Sequence, residues 1–273
     1  MIRGFYQAAS GMITQQRRTD MLGDNLSNMH TPGYKADQSS IRAFPNMLVQ
    51  AMNTNGGRGH HRMIGELATG VYMQERSPNY TQGDLRETGV RTDVAILQGF
   101  LEPEEETGAP GMLFFAVIDE EGNMQYTRNG NFTVDGQGLL TNSQGHYILG
   151  VEGEPLDVGN EWFEMGATGE ITDNTGDYVG QLEVVYAEGP QQLVKTGEGL
   201  LQNTAADDLV SVVGNDAYPY ELQQQFLERS NVDVGQMMTN MTNAYRNFEA
   251  NQTVLQAYDQ NLQRTANDIG NIN

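Results

Sequence analysis

The last forty residues carry apolar side chains at the spacing of a coiled coil, and this pattern constrains the fold more than any other feature. The positions follow one another by alternate steps of four and three residues: Val234, Met238, Met241, Tyr245, Phe248, Gln252, Leu255, Asp259, Leu262, Ala266 and Ile269. The polar Gln252 and Asp259 lower the stability of such a stripe but can fix its register. The stretch lacks proline, which predicts a helix over 234–268, roughly 50 Å long, capped by Ser230 or Asn231. A helix of that length is unusual in a compact monomer.

A shorter stripe with the same spacing runs through the first thirty residues. Its positions are Ile2, Phe5, Ala9, Met12, Gln16, Thr19, Leu22, Leu26 and Met29. The pattern ends at His30-Thr31-Pro32-Gly33, because proline disfavours the helical conformation of the preceding residue. Neither stripe is wide enough to stabilise an isolated helix in water. Two arrangements fit: the terminal helices pair with each other and with neighbouring copies, or they cap one globular domain as ordinary amphipathic helices.

The middle of the chain has a different period. Residues 31–93 are predicted to form an extended linker, which includes the glycine-rich stretch 53–59. From Val94 onward, short apolar runs alternate with Asp, Asn and Gly turns, which is typical of β-hairpins. The predicted strands are Val94–Leu97, Leu113–Ile118, Gln125–Thr127, Asn131–Val134, Tyr147–Leu149 and Leu182–Ala187. The predicted fold class is α+β, with an N-terminal helix (1–30), a linker (31–93), an all-β domain (94–220) and a C-terminal helix (228–273). The two helices are expected to form a coiled-coil-like domain.

The net charge of −21 is unevenly distributed. Residues 1–93 carry ten Lys and Arg against eight Asp and Glu, giving +2, whereas residues 94–273 carry five against twenty-eight, giving −23. Such an acidic surface repels nucleic acid and anionic membranes, so nucleic-acid binding is the first function excluded. The chain has no cysteine, which excludes disulfides and thiolate chemistry.

No stretch has the character of a membrane span or a signal peptide. The longest apolar run, Met112–Ile118, is far shorter than the roughly 20 residues that cross a bilayer. Arg3 is not followed by an apolar segment with a small-residue cleavage site. On these grounds alone we expect no membrane insertion and a cytoplasmic location.

Three clusters contain residue types that bind metals in other proteins. Asp119-Glu120-Glu121 and Asp173-Asn174-Thr175-Gly176-Asp177 lack the twelve-residue spacing and bidentate Glu of a calcium loop. Tight turns favour these residues for backbone reasons alone. His60 and His61 are adjacent, so they cannot converge from one face of a helix or strand. The sequence predicts no metal site.

No fingerprint of a known catalytic or cofactor site is present in the sequence. A hydrolase that uses a pair of carboxylates remains the enzymatic alternative, because an acidic β domain could bring two of them together across a cleft. The many acidic residues single out no such pair. The prediction is therefore a protein that is not an enzyme and that has no catalytic residue and no cofactor.

Two segments at opposite ends carry specific motifs. The first contains Ala8-Ala9-Ser10-Gly11-Met12 and, further on, the positions Asn25, Asn28, Thr31, Pro32, Gly33, Tyr34 and Lys35. The second begins at Leu227-Glu228-Arg229-Ser230-Asn231-Val232-Asp233-Val234 and continues through Phe248-Glu249-Ala250-Asn251. Both resemble the bacterial flagellar rod and hook protein family, whose first helix ends in Asn, two residues, Asn, and then Thr-Pro-Gly-Tyr-Lys.

The middle is also similar to that family, at Asp93–Ile96, Phe114-Phe115, Tyr126–Phe132 and Asp135–Leu140. One segment departs from it, because family members usually run from Asp-x-Ala-Ile through a short glycine stretch to Phe-Phe. Here Leu97–Leu113 inserts an acidic loop, with Glu102–Glu106 expected to be solvated. The length and the β middle resemble the distal or near-distal rod proteins most.

This resemblance implies a structural subunit of the flagellar basal-body rod. In the family, the terminal helices pack with neighbouring subunits as the inner tube of a hollow axle that transmits torque to the hook, and the β domain lies outside. The implied partners are copies of the chain, other rod and hook proteins, and the export apparatus, which delivers such proteins to the basal body without a cleaved signal peptide. The implied subunit-packing residues are Phe5, Met12, Leu22, Leu26, Val234, Met238, Met241, Tyr245, Phe248, Leu255 and Leu262.

A secreted coiled-coil surface protein or adhesin is the structural alternative. It would share the helices and the acidity, but it gives no reason for the Thr31-Pro32-Gly33-Tyr34-Lys35 segment.

Overall fold

The computed structural model describes residues 2–51, 62–101, 111–119, 121–188, 193–197, 199–204, 209–215 and 217–270. The acidic residues 102–106, the glycine-rich stretch 53–59 and the His60-His61 pair lie outside the described residues. The chain divides into two compact units. Unit 1 comprises Met1–Leu26, Asp37–Ser77 and Asp233–Asn273, and unit 2 comprises Ser27–Ala36 and Pro78–Val232.

Each terminal segment forms one long helix, α1 (Ile2–Ser27) and α2 (Val234–Gly270). Asp233 caps α2, because its Oδ1 accepts a hydrogen bond from the Gln236 amide at 3.0 Å and its carbonyl accepts one from the Met237 amide at 2.9 Å. The predicted cap at Ser230 or Asn231 is therefore wrong. Those residues precede the first helical residue by too many positions to reach the free amides of its first turn.

The two helices lie side by side in unit 1 and run in opposite directions. A Cβ added to Gly4 would overlap the Tyr258 side chain, and one added to Gly11 would lie 3.0 Å from the Asn251 amide. The contacts are seven residues apart on each helix, from 4 to 11 and from 258 to 251. Glycine permits this close approach because it has no side chain. Pairing of the helices as a coiled coil stays a prediction.

Short strands complete unit 1. They are β1 (Asp37–Gln38), β2 (Ile41–Ala43), β3 (Met47–Ala51), β4 (Arg62–Leu67) and β5 (Val71–Met73), and the boundary with unit 2 falls within β6 (Ser77–Pro78). Strands β2 and β5 pair in the antiparallel sense, and so do β3 and β4. These two pairings join the same two stretches of chain into one antiparallel ribbon, although residues 31–93 were predicted to be an extended linker.

Unit 2 is built from strands. In chain order they are β7 (Leu85–Glu87), β8 (Val94–Gln98), β9 (Met112–Ile118), β10 (Met124–Thr127), β11 (Phe132–Val134), β12 (Leu140–Asn142), β13 (Tyr147–Ile148), β14 (Glu164–Met165), β15 (Glu170–Thr172), β16 (Tyr178–Gln181), β17 (Val184–Ala187), β18 (Leu193–Gly197), β19 (Leu200–Asn203), β20 (Val210–Ser211), β21 (Tyr220–Gln224) and β22 (Phe226–Glu228). Among the described residues, nine strands form one sheet in the order β11-β12-β13-β9-β10-β19-β18, with β17 pairing both β9 and β20. Strand β8 pairs with β21, and β7 pairs with β22.

Strand β9 is the centre of the core of unit 2. Its residues from Met112 to Val117 are fully buried, and alternate residues point to opposite faces of the sheet. Leu113, Phe115 and Val117 join one apolar cluster, whereas Met112, Phe114 and Ala116 join a second. A strand buried on both faces requires a continuous apolar run, which explains why its sequence shows no polar alternation.

The predicted α+β class is confirmed, with a helix at each end and a mostly β middle. The six predicted strands are present, with bounds that differ by at most two residues. Short polar strands such as β14, β15 and β16 were not predicted, because they lack an apolar run.

Candidate functional site

The predicted subunit-packing residues divide between covered and exposed faces of the helices. Leu22 is buried, and six are half-buried: Met12, Leu26, Val234, Met241, Phe248 and Leu255. Four are exposed: Phe5, Met238, Tyr245 and Leu262. Unit 1 therefore covers part of the predicted stripe and leaves the rest at the surface.

The covered face of each helix keeps heptad spacing but differs from the predicted stripe. On α2 it comprises Val234, Met237, Met241, Ala244, Phe248, Asn251, Leu255 and Tyr258, so that every second position precedes the predicted one by one residue. On α1 it includes Gly4, Ala8, Gly11, Gln15, Arg18, Leu22 and Asn25. Hydrophobic patterning missed the α1 face because glycine, alanine and amides carry little apolar signal. The recurrence of small residues at steps of four and three was the available clue.

The motif residue Asn25 holds the chain that follows α1 within unit 1. It is fully buried. Its Nδ2 donates to the Asp37 carbonyl at 2.9 Å, and its Oδ1 accepts from the Asp37 amide at 2.8 Å. These two hydrogen bonds tie the Asn25 side chain to the backbone of Asp37, the first residue of β1. They give a physical reason for Asn at this position, because a carboxylate could not donate.

The motif segment 31–35 lies in unit 2 and begins with a tight turn. The Thr31 hydroxyl donates to the Asn28 side-chain oxygen at 3.2 Å, and the Tyr34 amide donates to the Thr31 carbonyl at 3.3 Å. The Lys195 ammonium lies 4.8 Å from the centroid of the Tyr34 ring, within cation–π range. The turn therefore directs the chain into the interior of unit 2.

Gly33 is required at its position for two reasons. Its φ is +69°, in the left-handed region that favours glycine. A Cβ there would lie 2.5 Å from the carbonyl carbon and oxygen of Arg128. The Gly33 amide also donates to the Glu228 carbonyl at 2.8 Å. Gly33 thus lies against the backbone of Arg128 and is hydrogen-bonded to the backbone of Glu228.

Gly33→Ala is expected to lower the free energy of unfolding by about 2–4 kcal/mol, because the left-handed backbone and the clash with Arg128 both oppose a methyl group. Gly89→Ala is the matched control. Its φ is +72°, and an added Cβ meets no heavy atom of the described residues within 4 Å. It should cost only about 1–2 kcal/mol of backbone strain. Urea denaturation measures both variants, and equal losses would contradict the close approach.

A buried charged cluster follows directly after this turn. It consists of Lys35, Arg128 and Glu228, each at most 5% exposed. The Lys35 ammonium donates to Glu228 Oε1, and Arg128 Nε donates to Glu228 Oε2 at 2.6 Å. The Gly83 amide also donates to Glu228 Oε1, at 2.8 Å. One carboxylate therefore joins three distant stretches of the chain.

The two cations have further partners. Lys35 Nζ donates to the Thr81 carbonyl at 2.9 Å. Arg128 donates to the Leu113 carbonyl at 2.6 Å and to the Ile96 carbonyl at 3.0 Å, on β9 and β8. A buried ion pair is tolerated when the remaining donors and acceptors are satisfied in this way. The cluster therefore anchors the motif segment in the core of unit 2.

Burial and the neighbouring charges shift the pKa values of two members. Burial lowers the pKa of Lys35 from 10.5 to about 8, while Glu228 opposes this shift and Arg128 adds to it. Burial alone would raise the pKa of Glu228, but the positive charges of Arg128 and Lys35 outweigh it and hold that pKa below 4.5. Lys35 and Glu228 are therefore both charged at neutral pH, so the cluster acts as an electrostatic anchor.

The two acidic turns bind their own backbone. The Asp119 carboxylate accepts hydrogen bonds from the amides of Glu121 and Asn123 at 2.9 and 2.8 Å. The Asp173 carboxylate accepts one from the Thr175 amide at 2.7 Å. Hydrogen bonds, first from the Asn123 and Thr175 side chains, lower the pKa of each aspartate. Within the described ranges no three His, Asp or Glu side chains form a group that could hold a metal ion.

In the part of the chain that the structure describes, no helix is both long enough and apolar enough to span a membrane.

Comparisons with protein-family models match both helices and the β region. The model described as "Flagella basal body rod protein" matches residues 5–35. The model described as "Flagellar hook protein FlgE/F/G D1 domain" matches residues 110–242. The model described as "Flagellar basal body rod FlgEFG protein C-terminal" matches residues 223–269. These ranges include both motif segments and the residues of the charged cluster.

Curated relatives are similar over the full length. The flagellar hook-basal body complex protein FlhO of Bacillus subtilis is 42% identical over 273 residues, all of both chains. The flagellar basal-body rod protein FlgG of Borreliella burgdorferi is 28% identical and covers 98% of this chain and 99% of its own. The FlgG protein of Bacillus subtilis is 26% identical with the same coverage. Neither an adhesin nor a hydrolase finds support in these matches. The resemblance of the motifs is confirmed, and the chain belongs to the flagellar basal-body rod and hook protein family.

Proposed function

We propose that the chain is a structural subunit of the flagellar basal-body rod, which polymerises through its terminal helices into the hollow axle that transmits torque to the hook. The observation that carries this proposal is the full-length similarity to proteins named as parts of the hook–basal body complex and the rod. Relatives of matching length that bear such names support a mechanical role for the whole chain. They give no reason to expect catalysis.

Exposed apolar side chains on both helices support assembly through them. Phe5, Tyr6 and Ile13 are 38–65% exposed on α1, and Met238, Tyr245 and Leu262 are 40–54% exposed on α2. Exposed apolar side chains become favourable contacts when a partner covers them. Burial of such area contributes about 25 cal/mol per Å² before the cost of ordering. In the proposed rod, the covered face holds one subunit together in a coiled-coil-like pairing, and the exposed face packs against neighbouring copies.

The proposal also assigns a role to each part of the chain. Helices 1–30 and 228–273 would form the inner tube, residues 94–220 the outer β domain, and residues 31–93 the connection between them. The partners would be copies of the chain and other rod and hook proteins. Delivery through the flagellar export apparatus, without a cleaved signal peptide, is part of the same proposal. A distal or near-distal place in the rod, which the chain length and the β middle suggest, is part of the same proposal.

Deletion of the gene is expected to give non-motile cells, because a missing axial subunit stops growth of the rod before the hook. Electron microscopy of isolated basal bodies should show rods that end short of the hook, and a plasmid copy of the wild-type chain should restore complete flagella. Motile deletion cells with complete basal bodies would overturn the proposal and favour the secreted surface protein.

A further inference from the structure

A groove in unit 1 is lined by uncharged amides and small residues. It has a volume of about 480 Å³, and its four polar side chains are Gln7, Gln15, Asn247 and Asn251. Its other lining residues are glycines, alanines and one valine, from both helices and the strand ribbon. We call it the amide groove. Its small side chains allow close approach, and its amides both donate and accept hydrogen bonds.

One of these amides lacks a partner. Gln15 is only 9% exposed, and its Oε1 is buried without a hydrogen-bond donor among the described residues. A buried acceptor without a donor lowers stability, so nearly all such groups in folded proteins are paired. Gln15 lines the groove, so a rotation of its side chain would turn the buried Oε1 toward the opening, where an N–H group of an occupant would pair with it.

The lining also limits the charge of the occupant. Because none of the lining residues is charged, the groove offers no counter-ion for a strongly charged ligand, which would lose hydration without compensation. An occupant rich in amides and hydroxyls, with a little apolar surface, matches the groove better.

The chain itself carries such a segment. Residues 261–267 of α2, Asn-Leu-Gln-Arg-Thr-Ala-Asn, are all exposed, unlike the earlier turns of the same helix, each of which has a covered face. This segment, about two helical turns long, contains three amide side chains, one hydroxyl and Leu262, with Arg264 as its only charged residue. Nothing in its own subunit covers it among the described residues.

We propose that residues 261–267 of a second copy of this chain dock in the amide groove and supply the donor for Gln15. The inference rests on the proposed function and deepens it by naming one contact between subunits. The segment 261–267 and the amide groove are different surfaces of the subunit, so the contact is head-to-tail. A repeated contact of this kind builds an open filament instead of a closed dimer.

A single chain cannot make this contact with itself. Ala250 lines the groove, and Gln263 belongs to the segment 261–267. They lie on the same helix, thirteen residues and roughly 20 Å apart. Cysteines can form a disulfide only when their Cα atoms lie within about 7 Å. A disulfide between these two positions must therefore join two copies, and the chain has no native cysteine to interfere.

Ala250→Cys/Gln263→Cys should form a ladder of disulfide-linked multimers in purified basal bodies after mild oxidation. Each single variant should give dimers at most. A double variant that assembles into basal bodies but yields no more multimers than the single variants overturns this inference and leaves the proposed function intact. Absence of the chain from basal bodies of wild-type cells overturns both.

Gln15→Leu gives a test without cysteines, and Gln16→Leu is its matched control on the exposed side of the same helix. Gln15→Leu should keep the thermal midpoint of the purified chain, because it removes an unpaired acceptor. It should weaken self-association, measured by sedimentation velocity, about tenfold, whereas Gln16→Leu should not. Equal association of the two variants overturns the inference, even where the double cysteine variant fails to assemble.

Discussion

Glu228→Gln is expected to lower the free energy of unfolding by about 3–5 kcal/mol. The substitution keeps the shape of the side chain but removes its charge, so Lys35 and Arg128 would remain buried without a counter-charge. Charge that has lost its hydration and its partner is costly in the protein interior. Urea denaturation at pH 7, followed by circular dichroism, measures the loss.

Glu221→Gln is the matched control. Glu221 is exposed on β21, so this substitution should change the free energy of unfolding by less than about 0.5 kcal/mol.

The pH dependence of stability gives a second check of the Glu228 ion pairs. Because the folded state lowers the pKa of Glu228, its stabilisation is complete above the ordinary value of 4.5 and is lost as the pH falls through the folded value. The difference between wild type and Glu228→Gln should therefore shrink below pH 4.5. A difference that stays constant there would contradict the ion pairing.

Phe248→Asp is expected to abolish motility while the β region stays folded. Phe248 is half-buried on the covered face of α2, and an ionised carboxylate there would lose hydration without a partner when the helices pack. Swarm diameter on soft agar should fall to that of the deletion strain. Leu26→Asp on α1 should act in the same way.

Phe248→Leu controls for the loss of the ring, since it keeps an apolar side chain and should retain swarming. Hydrogen exchange of the purified Phe248→Asp chain should show protection in β9 equal to that of wild type, because β9 belongs to unit 2. Complete rods that contain Phe248→Asp would refute a role of this face in assembly.

The sequence was sufficient for the elements that carry a continuous or periodic apolar signal. Both helices and the buried strand β9 were predicted for this reason. The covered face of α1 was not predicted. Gly4, Ala8 and Gly11 contribute to helix packing through the space that they leave open and not through apolar area. Shifting a helical stripe by one residue turns it by about 100°, so the predicted stripe on α1 indicated a neighbouring side of the helix.

The charged cluster could not be predicted from local pattern. Lys35 and Glu228 are 193 residues apart, and Arg128 and Glu228 are 100 apart. A single Lys, Arg or Glu in a sequence most often belongs to the surface. The family motif marked Lys35 as important without indicating its partner. Glu228 is placed by long-range backbone contacts, including its pairing with Leu85 between β22 and β7 and the hydrogen bond from the Gly33 amide to its carbonyl.

The distance along the chain between Lys35 and its partner also bears on the timing of folding. Lys35 emerges long before Glu228 when the polypeptide leaves a ribosome or a secretion channel with its N-terminal end first. The salt bridge between them therefore cannot form during most of that passage. Contacts between residues far apart in sequence form slowly, because a long loop must close first. Folding of the segment 31–35 is therefore delayed, because its salt bridge forms only after nearly all of the polypeptide has emerged.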